Sequence, residues 1–159
     1  MAVTGRTLEQ ARRRVGEELG VSDWIAVDQR TIDDHARTTG DADWLHNDPE
    51  RAARESPFGG RTIAQGSLLL STLVGCVDRI APLADDIAYA LNYGFERVRF
   101  VRPVPVGSRV RARMRLKDVR PRGEGRYLVT IEATLEQEGE ERPRVVAEWL
   151  GMLVVAGSR

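Results

Sequence analysis

Cysteine is nearly absent: Cys76 is the only one in 159 residues. An intrachain disulfide is therefore impossible, and a cysteine-rich metal site is excluded. Histidine is almost as scarce, with only His35 and His46, which argues against a multi-histidine metal centre. No apolar run approaches the roughly 18 residues that a membrane helix needs. The opening MAVTGRTLEQARRR lacks the apolar core of a signal peptide. Neither sign of charge is in excess, since 24 Lys and Arg balance 24 Asp and Glu. The whole chain thus gives no argument for nucleic acid or an anionic membrane as a partner. These absences lead to the expectation of a soluble, cytoplasmic protein.

The length fits a single domain over residues 1–159. The apolar fraction of 42% suffices for a core. Thr7 and Gln10 form a potential capping box for a first helix, about residues 7–20 and an extension to the rest, with Gly20 as its stop. DWIAVDQ reads as a short strand. TIDDHARTTG reads as a helix with Thr31 as cap and Gly40 as stop. Asp48 and Pro49 read as the N-cap and first residue of a short helix through Glu55. IAQGSLLLSTLVGCVDRIAPL is apolar around most of its circumference, which predicts a helix buried on most sides.

From Ile87 onward the period changes to two. FERVRFVRPV, RVRARMRLK, YLVTIEATLEQ and RVVAEWLGMLVV read as strands of an antiparallel sheet. Its apolar side needs a cover, and the apolar helix is the obvious one. The pattern predicts an α+β fold with an antiparallel sheet on a buried helix. In RVRARMRLK, Val110, Ala112, Met114 and Leu116 share one face, and Arg109, Arg111, Arg113, Arg115 and Lys117 the other. A hairpin centred near Arg122 and Gly123 places Arg109 opposite Glu136 and Arg113 opposite Glu132. Thr134 and Thr130 then face Arg111 and Arg115. Such cross-strand charge pairs are worth roughly 0.2–1 kcal/mol each. A solvated face of paired charges explains most of this pattern; a share in binding nucleotide phosphates is the alternative.

GDADWLHNDPERA places Asp41 five residues before His46, across a break between two helices. Spacing alone allows a surface histidine beside two capping aspartates, or an Asp–His pair that handles a proton. His35 falls in a helical pattern and reads as exposed.

GDADWLH, DPERA, PFGGRTIAQGSLLLSTL and NYGFERVRFVRPVPVGSRVRARMRL occur in this order. Together they resemble the MaoC-like hydratase/dehydratase family, and within it the NodN-type branch, over about Asp23 to Val155. The resemblance implies a hot-dog fold, a long antiparallel sheet wrapped around a central helix, in a homodimer. It implies (R)-specific hydration of trans-2-enoyl-CoA, with no metal or organic cofactor. Gly40, Asp41 and His46 match the family's Gly-Asp-x4-His motif. Asp43 and Trp44 depart from its usual Asn and Pro, and Gln65 replaces the usual His before Gly66. Asp41, His46 and Gly66 are the expected catalytic residues, and Trp44, Phe58, Gln65 and Ser67 the expected substrate contacts.

The chemistry explains these residue types. Hydration places negative charge on the thioester oxygen, and a helix N-terminus offers free N–H groups and a positive dipole end. Gly66 lets a ligand approach the backbone closely, because it has no Cβ. A paired Asp41 and His46 can take a proton from water and return one to the same face of the substrate. Two other readings compete. A hot-dog thioesterase needs a carboxylate on or near the central helix, where Asp78 at the far end is a poor candidate. A noncatalytic acyl-CoA-binding protein needs neither Asp41 nor His46.

Overall fold

The computed structural model describes residues 7–157. Helix α1 (Leu8–Arg12) opens with the capping box: the Thr7 hydroxyl accepts from the Gln10 N–H, and the Gln10 side chain accepts from the Thr7 N–H. It stops at Arg12, well short of the expected Gly20. The Gly16 N–H donates to the Leu116 carbonyl at 2.8 Å, and the Leu116 N–H to the Glu17 carbonyl at 3.0 Å. These tertiary bonds override helix propensity and turn the next segment into strand β1 (Glu18–Val21), where Leu19 is buried. Strand β2 (Ile25–Ala26) is shorter than DWIAVDQ suggests.

Helix α2 (Gln29–Thr39) begins two residues before Thr31, because Asp28 is the cap. Its carboxylate accepts from the Thr31 hydroxyl at 2.7 Å and the Thr31 N–H at 2.8 Å. The hydroxyl bond first, then the N–H bond, holds the Asp28 carboxyl below its ordinary pKa. Gly40, at φ 80°, ends the helix. A four-residue helix, α3 (Trp44–Asn47), follows, unanticipated in sequence and capped by Asp43. Helix α4 (Pro49–Glu55) has Asp48 as its cap and Pro49 at its first position, as expected.

The central helix is shorter than its apolar run. It is α5 (Gly66–Gly75), followed after a break at Cys76 by α6 (Val77–Ile80). Residues just before Gly66 are held extended instead: Ile63 bridges Pro105, and the Ala64 N–H donates to the Val104 carbonyl. Leu69 and Leu73 of α5 are buried, but Leu68, Leu70 and Val74 are only partly covered. Burial on most sides is therefore not achieved within one chain, because the sheet covers only one face of the helix.

That sheet adds strands β3 (Ile87–Phe100), β4 (Arg109–Pro121), β5 (Arg126–Gln137) and β6 (Val145–Val155). Its order is β1-β4-β5-β6-β3, every pair is antiparallel, and β2 also pairs with β4. The apolar face of β4 is buried as the alternation requires: Val110, Ala112, Met114 and Leu116. Ile131, Ala133, Leu135, Val145 and Trp149 join them in the core.

The β4–β5 register is two residues off the sequence expectation. Arg111 faces Glu136, Arg113 faces Thr134 and Arg115 faces Glu132. The connecting turn is centred on Glu124, with Gly123, Glu124 and Gly125 all at positive φ, and the ladder shifts again between Leu116 and Asp118. The charges still pair. Arg109 meets Glu138, Arg111 and Arg113 share Glu136, Arg113 also reaches Glu18, and Arg115 reaches Glu132. Among the described residues, no helix is long and apolar enough to cross a membrane.

Candidate active site

The candidate site is built where the Asp41 loop and α3 meet the start of α5. The first piece carries Asp41, just after the end of α2. Its backbone carbonyl accepts from the Gln65 side-chain amide at 3.2 Å, and the same amide donates to the Ile32 carbonyl of α2. Gln65 is only 1% exposed. Its amide therefore braces the Asp41 loop against α2 from within the core. The Asp41 side chain is exposed and, among the described residues, has no hydrogen bond or ion pair.

The second piece is α3, which carries His46. The His46 Nδ1 lies 2.7 Å from the Ile63 carbonyl oxygen. A carbonyl can only accept, so Nδ1 carries a proton, which leaves Nε2 as the nitrogen that can exchange one. Gln29 braces the same loop: its amide donates to the His46 carbonyl at 2.7 Å, and its Oε1 accepts from the buried Thr62 hydroxyl at 2.6 Å. The Ile63 N–H donates to the Leu45 carbonyl. Asp41 and His46 are thus both tied to residues 63–65, immediately before α5.

The third piece is the helix start itself. Gln65 is the N-cap of α5, but no side chain caps the helix there. Its first N–H groups are left for another acceptor. A Cβ on Gly66 would stand 3.1 Å from ring atoms of Phe100. The Phe100 ring therefore covers the glycine, though Phe100 is itself 54% exposed. Ser67, one residue on, has its hydroxyl 2.8 Å from His35 Nε2.

The remaining expected contacts are spread around this point. Trp44 on α3 is half-buried, with the Arg51 guanidinium 4.3 Å from its ring centroid. Phe58 lies apart from the Asp41 loop, in a groove it shares with Arg61, Arg102 and Arg144. Asp78 lies on α6, beyond the far end of α5. There it lines an apolar cavity of about 90 Å³ with Leu8, Val77 and Trp149, and no expected site residue borders that cavity.

Sequence reasoning missed His35 and Phe100. His35 follows Ile32 by three and precedes Ala36 by one, and both of these are buried. That spacing puts it at the flank of the inward face of α2, a signal that was available. Phe100 gave no local signal, since its contact with Gly66 arises only from the fold. Among the described residues, no group of three or more His, Cys, Asp or Glu could hold a metal ion.

This fold and these motifs match known proteins. The sequence fits the MaoC like domain over residues 10–137. The chain belongs to the MaoC-like hydratase/dehydratase family. It is 46% identical to nodulation protein N of Rhizobium leguminosarum bv. viciae, over 92% of this chain and 91% of that one. It is 44% identical to 3-hydroxyacyl-thioester dehydratase Z of Mycobacterium tuberculosis, over 84% of this chain and 86% of that one. Among solved structures, the monoamine oxidase regulatory protein of Archaeoglobus fulgidus superposes with a TM-score of 0.73 at 27% identity. That match covers 87% of this chain and 89% of the other. The hot-dog architecture expected of a MaoC-like chain is the one observed.

Proposed function

We propose that this MaoC-like chain is an (R)-specific enoyl-CoA hydratase, which adds water to trans-2-enoyl-CoA and reverses the reaction on (R)-3-hydroxyacyl-CoA. The observation that carries the reading is the His46 hydrogen bond to the Ile63 carbonyl. It fixes the tautomer that keeps Nε2 basic, beside a helix start whose N–H groups no side chain caps.

In this mechanism Asp41 and His46 hold one water. Its oxygen attacks the β-carbon while the pair takes its proton. The electron pair of the double bond shifts toward the thioester oxygen, where the Gly66 N–H and the α5 dipole stabilise it. Loss of one such donor costs on the order of 3–4 kcal/mol of barrier. The charge then collapses, and the α-carbon takes a proton from the pair on the same face. The sum is one water added in a syn sense. The addition consists of nucleophilic attack by water, proton transfer and charge stabilisation, so no metal or organic cofactor is needed. Gln65 keeps Asp41 in place, and Trp44 and Ser67 border the substrate.

The proposed assembly is a homodimer, and the proposed location is the cytoplasm. Strand β3 pairs only with β6 among the described residues, yet it exposes Tyr89, Leu91 and Tyr93, the last at 60%. A long apolar edge strand of this kind needs a cover.

The test is incubation of the purified protein with crotonyl-CoA, with chiral analysis of the product and an assay for free thiol. The expected result is (R)-3-hydroxybutyryl-CoA without thiol release. Thiol release would indicate a thioesterase. Tight binding without turnover of short or long enoyl chains would indicate a binding protein.

A further inference from the structure

Two polar side chains meet beside the proposed oxyanion site. His35 Nε2 and Ser67 Oγ lie 2.8 Å apart, across 32 residues of sequence. A half-buried histidine of α2 and an exposed serine of α5 are thus joined. Among the described residues, neither side chain has another hydrogen bond or an ion pair.

Their places in the fold give the pair a direction. Ser67 is the second residue of α5, and a helical side chain leans back toward the N-terminus of its own helix. The hydroxyl therefore leans toward the end where the first N–H groups lack helix partners. Adjacent Cα atoms stand about 3.8 Å apart, so an oxygen held on the Gly66 N–H is within reach of Ser67 Oγ. His35 comes from α2, whose last turn runs on to Asp41. The Thr39 hydroxyl donates to the His35 carbonyl at 2.8 Å and accepts from the Asp41 N–H at 3.3 Å. The Gln65 amide makes a second link, to the Ile32 carbonyl of the same helix. Together these bonds hold the start of α5 in a fixed relation to the Asp41 loop.

A serine hydroxyl has one proton to give. If His35 Nε2 accepts it, Oγ turns only lone pairs toward the substrate. If instead Nε2–H donates to Oγ, the hydroxyl proton is free for another acceptor. Both arrangements keep the same bond between the two side chains. Negative charge gathering on the thioester oxygen selects the second. The interaction therefore strengthens as the transition state forms, which is the condition for it to speed the reaction. We infer that Ser67 is a catalytic residue, its hydroxyl a second oxyanion donor beside the Gly66 N–H, and that His35 is the positioning residue that frees its proton. The inference rests on the hydratase reading and adds a side-chain donor to the backbone one.

The test compares Ser67→Thr with Ser67→Val. Both new side chains are β-branched and of similar size, so their difference isolates the hydroxyl. For crotonyl-CoA hydration, kcat should fall ~10²-fold in Ser67→Val with KM little changed, and stay close to wild type in Ser67→Thr. His35→Ala should lower kcat on the order of 10-fold. His35→Gln should restore part of that loss, because its amide N–H can stand in for Nε2–H. His35→Ala should cost nothing further when added to Ser67→Val. A second arm needs no turnover, since butyryl-CoA has no double bond to hydrate. Isotope-edited infrared should find the carbonyl stretch of the bound thioester at lower frequency on the wild type and Ser67→Thr than on Ser67→Val. Equal kcat values or equal stretches in the two Ser67 variants overturn this inference and leave the hydratase reading standing. If the wild type binds butyryl-CoA but hydrates no enoyl thioester, the hydratase reading fails, and the infrared shift still decides whether Ser67 donates to the carbonyl. A wild type that binds no thioester overturns both.

Discussion

Among the described residues, His46 makes one side-chain hydrogen bond, to the Ile63 carbonyl, and that bond sets both the ring's orientation and its tautomer. The bland alternative, a histidine loose at the surface, does not fit a half-buried ring tied to the segment before α5. Gly66 allows a second prediction at this scale. Gly66 is the first residue of α5, so alanine gains less there than the ~1 kcal/mol of a helix interior, and the new Cβ would sit 3.1 Å from the Phe100 ring. Phe100 is more than half exposed and can swing outward. Gly66→Ala is therefore expected to change stability by less than about 1 kcal/mol while cutting turnover, because the methyl group crowds the helix start. A thermal melt and a turnover assay on the same sample check this pair of outcomes. Asp41, His46 and Gly66 could be singled out in the sequence because the motifs that hold them are local. The part played by Gln65 was not. Its amide joins Ile32 and Asp41, 33 and 24 positions away, and no short window of sequence contains such a contact.

Among the elements, the strands were the most legible and the central helix the least. Alternation in RVRARMRLK identifies β4 directly, since one face must be buried and the other solvated. An apolar run cannot show where its helix begins. Ile63 and Ala64 are as apolar as the residues after them, but backbone bonds to the β3–β4 connection hold them extended. The β4–β5 register was misjudged because the turn takes three positive-φ residues, one of them the non-glycine Glu124. The charge pairing across these strands carries a pH prediction. Burial raises the Glu136 pKa, but hydrogen bonds from Arg113 and Arg111 outweigh it and hold the carboxyl below its ordinary 4.5. The same bond to Glu136, then that to Glu18, raises the Arg113 pKa. A carboxyl whose folded pKa is depressed stabilises the fold above its unfolded pKa, and that contribution is lost as pH falls through the folded value. Glu136→Gln should lower the melting temperature at neutral pH and flatten its decline below about pH 4.5. Equal slopes for the two proteins in a melting series from pH 7 to pH 3 would show that Glu136 carries no such linkage.

At the scale of the whole molecule, one chain leaves apolar surface in two places along β3. One is the part of α5 that the sheet does not cover, where Leu70 and Val74 meet Asn92 and Phe95 of β3. The other is the outer stretch of β3 bearing Tyr89, Leu91 and Tyr93. A second copy packed along β3 would cover both. Sedimentation of the wild type should give twice the chain mass, and Leu91→Glu should shift the equilibrium to monomer. A monomeric wild type at micromolar concentration would remove the dimer from the account. The central claim is that Asp41 and His46 together move the proton of water during hydration. The measurement that tests it most directly is crotonyl-CoA hydration by the wild type, Asp41→Asn and His46→Gln, with folding of each confirmed by melting. The account predicts losses on the order of 10²–10⁴-fold for each variant, with thioester binding kept. Near-wild-type turnover in either well-folded variant would contradict it.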